Sequence, residues 1–153
     1  MTTSFLIENV QMTDLPEGQF RVALQFWLDA KKDSILPPDW AIDPLRLPRG
    51  LLPSLLVVSV EPGPKRLRFR LAGTTMVNAI GFELTGKFSE DIEGAEGTTQ
   101  RAYAAIESKS PYFYGGPLVW SPKDFNSYKA LIMPFGNDVN EVTRLLGYTE
   151  FAA

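Results

Sequence analysis

The chain has 153 residues, 44% of them hydrophobic and 22% charged, and 18 acidic against 15 basic side chains give a formal net charge of −3. That length holds one domain able to bury roughly two-thirds of its unfolded surface, and the composition lies outside the disordered regime. With no histidine and no cysteine anywhere, disulfides, thiolate nucleophiles, imidazole bases and centres held through either residue are excluded.

The acidic balance offers no cationic field for nucleic acid or an anionic membrane. Residues 1–15 lack the basic start and apolar run of a secretory signal, and the longest apolar stretch, residues 51–60, is half of what a membrane helix needs. A cytoplasmic protein with neither nucleic acid nor membrane as partner is expected.

The first dozen residues read as an irregular arm. Asp14, Pro16 and Glu17 then form a helix-start pattern, with Asp14 as the cap, and Phe20, Leu24, Trp27 and Leu28 recur at the helical period. The spacing predicts a helix over residues 15–32 whose apolar stripe packs on its own domain or on a partner. Residues 1–34 are thus an arm and amphipathic helix, and residues 35–153 the main domain.

Five prolines between residues 35 and 53 predict an extended connector, with Asp43 and Pro44 opening a short turn and Leu45, Leu47, Leu51 and Leu52 covering the core edge. Trp40 reads as a packing anchor. Residues 55–60 and the phrase RLRFRLAG at 66–73 flank the turn phrase EPGPK as a hairpin, in which Leu67, Phe69 and Leu71 alternate with Arg66, Arg68 and Arg70. The arginine face calls for solvent or for acidic partners among Glu61, Glu90, Asp91, Glu93 and Glu96. Arg70 in particular is expected to pair with Asp91 or Glu93, pinning short helices to the sheet.

Glycine-punctuated helical phrases follow. Thr74 or Thr75 is expected to cap the first, and Gly73, Gly81 and Gly86 to permit its tight turns. A longer helix is expected from Thr98 or Thr99 to Ser108. Three strands close the chain, joined by the turn phrases SPKDFN and GNDVN, with Pro134 suiting an edge or bulge. Along the middle strand Leu131, Met133 and Phe135 alternate with Ala130 and Ile132, so both faces are apolar and a helix or a partner must cover the second. Without repeated strand–helix–strand units, this order predicts an α+β domain with an antiparallel sheet.

The phrases RFRLAGT at 68–74 and GFELTGK at 81–87, following the Asp43-Pro44 segment and the leucine-rich strand, resemble the PAS superfamily. The closer likeness is to a PAS-like subfamily of mainly alphaproteobacterial proteins formerly labelled as of unknown function. The resemblance implies a five-stranded antiparallel sheet with short helices on one face and an added N-terminal helix. It further implies a non-enzymatic sensory or regulatory domain acting through protein contacts, with an unidentified regulatory partner, or a module that reversibly holds an apolar or aromatic ligand.

PAS chemistry that depends on a flavin–cysteine adduct, a cysteine-linked chromophore or a histidine-held haem has no residues to support it here. No cofactor is assigned. The resemblance places Met76, Asn78, Ile80, Tyr103, Ile106, Trp120, Tyr128 and Met133 as ligand-facing, although the apolar members equally suit an ordinary core. It gives Arg68, Arg70, Gly73, Thr74, Gly81 and Gly86 a structural role, and by analogy with flanking helices of PAS domains it makes Phe20, Leu24, Trp27 and Leu28 a homodimer interface. The carboxylates lack hydrolase or calcium-loop spacing.

Overall fold

The computed structural model describes residues 3–119 and 127–152. Among the described residues, six strands, β1 (Phe5–Glu8), β2 (Leu55–Val60), β3 (Leu67–Ala72), β4 (Tyr112–Pro117), β5 (Ser127–Gly136) and β6 (Val142–Ala152), accompany three α-helices, α1 (Gln19–Lys31), α2 (Thr74–Ile80) and α3 (Glu96–Ser108). The strands form one antiparallel sheet in the order β1-β4-β5-β6-β2-β3.

The α+β expectation holds, with one more strand than expected. Part of the opening arm is β1, which pairs along β4 from Phe5 opposite Gly115 to Glu8 opposite Tyr112.

Both faces of the sheet are covered. On the outer face, Phe20, Ala23, Leu24 and Trp27 pack with Leu55 and Val57, with Leu131, Met133 and Phe135, and with Leu146 and Tyr148. On the inner face, Leu56, Val58, Leu67 and Phe69 meet Met76 and Ile80 of α2 and Ala102 of α3. Strand β2 reads as an apolar run interrupted only by Ser59, because each of its faces is buried.

This packing corrects the expected dimer face. Phe20 stands edge-on to the rings of Phe113 and Tyr148 at centroid distances of 4.9 and 5.1 Å, and Trp27 Nε1–H donates to the Pro134 carbonyl at 2.7 Å. Phe20, Leu24 and Trp27 are buried within their own chain, and only Leu28 of that set is exposed. Residues on both sides of position 34 therefore contribute to one core.

Local chemistry shifts several boundaries. Helix α1 starts at Gln19, later than expected, because Asp14 belongs to a preceding 3-10 turn, where its carboxylate accepts from the Gln11 amide at 2.8 Å. Helix α3 starts at Glu96, earlier than expected, with Thr98 and Thr99 inside it; Thr99 Oγ1 bonds back to the Ala95 carbonyl. The proline-rich connector contains two 3-10 turns, and Asp43 does open a turn, its Oδ1 accepting from Leu45 N at 2.9 Å. Leu47 and Leu51 are buried as expected, whereas Leu45 is 95% exposed. Trp40 is not the expected anchor: it is 64% exposed, under the guanidinium of Arg46.

A β-bulge between Val57 and Val58 puts Leu71 opposite Val57 and Phe69 opposite Val58, leaving Arg70 as the extra residue. Leu71 consequently leaves the face shared by Leu67 and Phe69 and is exposed. Pro134 lies in the interior strand β5, but the β4 ladder ends at Ile132, so its missing amide interrupts no bond there.

Gly73, rather than Thr74, is the cap residue of α2, and no side-chain cap bond forms. Its lack of a side chain serves close approach, since a Cβ there would lie 2.3 Å from the carbonyl oxygens of Leu52 and Pro53. Gly81 and Gly86 do adopt the positive φ angles expected of them, +90° and +89°.

Candidate functional site

Helix α3 lies on the inner sheet face through Thr99, Ala102 and Ala105, all buried. These small side chains let the helix axis come close to the strands. Thr98 and Arg101, beside that strip, reach over β4 and β5. Beneath them, two rows cross the sheet: Tyr112, Ile132, Gly147 and Leu56 in one, and Tyr114, Ala130 and Thr149 in the other.

Arg101 is the polar centre of this junction. Its guanidinium carbon lies 3.5 Å from the centroid of the Tyr114 ring, and Nη2 donates to Tyr128 Oη at 3.1 Å and to Thr98 Oγ1 at 3.3 Å. Its Nε is buried and meets no acceptor in good hydrogen-bond geometry, with the Tyr112 hydroxyl beside the guanidinium. No ion pair among the described residues includes Arg101. Burial pushes the adjacent Tyr112 phenol above its usual pKa, against the opposing effect of the Arg101 charge, so Tyr112 is a neutral hydroxyl.

The junction encloses two small gaps. One of about 30 Å³ is bordered by Leu56, Met76, Arg101, Tyr128, Ile132 and Phe151. The other, about 40 Å³, lies among Val58, Phe69, Ala102, Tyr112 and Leu145. On the far side of α3, an open groove of about 440 Å³ runs between the helix and the β1 edge, lined in part by Leu6, Ala105 and Pro111. Arg101 and Tyr112 line both this groove and the first gap.

A second polar node ties the helices to the edge of the sheet. Glu90 accepts from the amides of Arg66 at 3.0 Å and Leu67 at 3.2 Å and from the Tyr103 hydroxyl. Burial by itself would raise the Glu90 pKa, but these hydrogen bonds outweigh it and hold the carboxyl below its ordinary range. Tyr103 is pushed up to about 12 by burial and by its bond to Glu90.

The pinning expected of Arg70 is thus performed by Glu90. Arg70 itself pairs with Glu61 at 3.0 Å and donates to Ser59 Oγ, and Arg68 takes the other Glu61 oxygen, also at 3.0 Å.

Of the residues expected to face a ligand, Met76 and Tyr128 border the first gap. Ile80 is fully buried in the same core cluster, and Tyr103 and Ile106 pack at its margin. Asn78 is exposed. Met133 points to the outer face and packs in the α1 cluster, because alternation along β5 gives the inner face to Ala130 and Ile132. Trp120 and the SPKDFN turn lie outside the described residues.

Sequence reasoning gave Thr98 only a helix-start role and did not single out Arg101, Tyr112, Tyr114 or Thr149. The alternation Tyr112, Tyr114, Gly116 held a signal for the two tyrosines. Arg101 sits three residues after Thr98, on one helix face.

Among the described residues no cluster of three or more candidate ligands could hold a metal ion, and no helix is long and apolar enough to cross a membrane.

An antiparallel sheet with short helices over its inner face, and a mixed polar and apolar junction beneath the longest of them, defines a PAS-type α+β domain. A family model described as PAS domain matches residues 18–150, and the chain belongs to that family.

The fold is similar to that of an RNA-binding light-oxygen-voltage receptor, with 15% identity and a TM-score of 0.57 over 99% of this chain and 39% of that one. A light-oxygen-voltage domain from a flavin-analogue study is similar at 11% identity and a TM-score of 0.51, over 74% of this chain and 88% of that one. No curated protein sequence matches the chain.

Proposed function

We propose that this PAS domain is a non-enzymatic sensory module that reversibly binds a small organic molecule at the junction of α2, α3 and the inner face of β4, β5 and β6. The observation carrying this reading is the convergence of Thr98, Arg101 and three tyrosines beside Leu56, Met76, Ile132 and Phe151, around unfilled space. Small-molecule sites combine apolar walls with a few oriented polar groups in this way. The gaps of about 30 and 40 Å³ admit water-sized groups only, so a larger molecule enters as α3 moves outward or its side chains repack. The displaced helix is then the signal.

Ligand sites of drug-sized molecules occupy about 300–1,000 Å³, far more than either gap, so a flavin would need the same outward movement of α3, and with no cysteine in the sequence it would be held without an adduct.

We place the chain within the alphaproteobacterial PAS-like subfamily on the phrases at 68–74 and 81–87, and in a cytoplasmic setting on its mildly acidic charge balance. Output through protein contacts is a second reading, favoured by the exposed Ile35, Trp40, Leu45 and Val139. Native mass spectrometry of freshly purified protein tests the main reading: a retained organic mass that dissociates on activation supports it, and a bare chain mass after purification from several growth conditions counts against it.

A further inference from the structure

We infer that the ligand is a monocarboxylic acid whose carboxylate is held by Arg101 together with the hydroxyls of Thr98, Tyr112 and Tyr128. The inference rests on the junction being a ligand site and names the chemistry that site selects. The guanidinium of Arg101 is a cation, yet its acceptors are the neutral oxygens of Tyr128 and Thr98, and no ion pair among the described residues involves it. Its Nε–H is buried with no acceptor in good hydrogen-bond geometry, and the hydroxyl beside the guanidinium, that of Tyr112, is neutral. A buried donor without a partner is rare and costly. A carboxylate supplies what is missing: two acceptor oxygens for a planar fork and one negative charge. By contrast, Arg68 and Arg70 already share the carboxylate of Glu61.

The surroundings define the rest of the molecule. Arg101 and Tyr112 form a common wall between the inner gap and the open groove. As α3 moves outward the inner gap opens past this wall into the groove, which at about 440 Å³ is wide enough for an aryl or short alkyl body against Leu6, Ala104, Ala105 and Pro111. Glu8 and Glu107 also line it, so a second carboxylate on the ligand meets repulsion there. This selects monoacids over diacids.

Isothermal titration of the full chain tests the assignment with five probes: phenylacetate, octanoate, octanedioate, and the amides phenylacetamide and octanamide. We expect the acids to bind at least about tenfold more tightly than the amides, the factor for one charge-assisted hydrogen bond. Octanedioate should bind more weakly than octanoate. Arg101→Gln should remove the preference for acids and Arg101→Lys retain part of it, with circular dichroism reporting whether each variant folds. If Arg101→Gln fails to fold, the acid-to-amide ratio on the unaltered chain and on Arg101→Lys decides.

Equal binding of acids and amides, or undiminished acid binding by Arg101→Gln, overturns the carboxylate assignment and leaves the ligand site intact. Absence of acid binding, with a neutral molecule retained in native mass spectrometry, overturns the assignment alone. Absence of both removes the site as well.

Discussion

The indole Nε1–H of Trp27 donates to the carbonyl oxygen of Pro134 at 2.7 Å, joining α1 to a strand 107 positions further along the chain. This bond sits within the apolar contact that converts the stripe of α1 from a surface into core. Trp27→Ala should cost about 3–5 kcal/mol, the usual range for emptying a buried aromatic site. Trp27→Phe should cost about 1–3 kcal/mol through the unsatisfied Pro134 oxygen. Urea denaturation monitored by tyrosine fluorescence gives both values. A chain beginning at Leu36 should lack cooperative unfolding, because Leu131, Met133, Phe135 and Tyr148 lose their cover; a stably folded truncation would contradict this packing account.

Gly73 is constrained by space. A methyl group there would lie 2.3 Å from two backbone carbonyl oxygens, and neither can move without shifting the turn that leads into β2. Gly73→Ala should destabilise by about 3 kcal/mol, the upper end of overpacking costs. Thermal unfolding would show the drop, and a change under about 0.5 kcal/mol, the size of an ordinary surface substitution, would mean the turn yields.

The Glu90–Tyr103 node sets two pH limits. Glu90 has a folded pKa below its unfolded one, so its contribution is present above the ordinary carboxylate range and is lost as pH falls through the lowered value. Tyr103 is raised to about 12. Its contribution is complete below the unfolded value near 10 and disappears as pH rises from there towards 12. Tyr148 and Tyr112 are raised as well, so the comparison needs Tyr103→Phe. That variant should lose less stability than the parent chain between pH 10 and 12. Parallel losses would show that Tyr103 does not titrate as described.

The arginine row of β3 should matter little for stability. Arg68 and Arg70 share Glu61 at partly exposed positions, and such pairs contribute up to about 1 kcal/mol. Arg70→Ala is expected to stay within that limit in urea denaturation, whereas Phe69→Ala, emptying a buried site, should cost about 3–5 kcal/mol. An Arg70 effect as large as that of Phe69 would give the row a role beyond an ion pair.

Periodicity carried most of the fold. The strand at 55–60 stood out as a leucine- and valine-rich run, the strands at 67–72 and after residue 111 through alternation, and α1 through its 3.6-residue stripe. What alternation left open was which face of β5 lay under α3, and Met133 went to the wrong side for that reason. Only the three-dimensional position of α1, anchored by Trp27, assigns the outer face to Met133 and the inner face to Ala130. Strand β1 escaped notice because four residues are too few for a periodic signal, and its pairing depends on β4 more than 100 positions away. Leu71 changed faces through a bulge that no local turn residue announces. At the site, apolar types drew attention while Arg101, a charged residue in a helix, reads as solvated until its stacking on Tyr114 is seen.

The measurement bearing most directly on the ligand site is a proton–nitrogen correlation map of the full chain during titration with phenylacetate and with any molecule recovered from the purified protein. The account expects the largest shifts at Thr98, Arg101, Tyr112, Tyr128 and Ile132, with Phe20, Leu24 and Trp27 on the outer face almost unmoved. Shifts confined to the outer face or to the exposed Trp40 region, or no shifts with either compound, would contradict it.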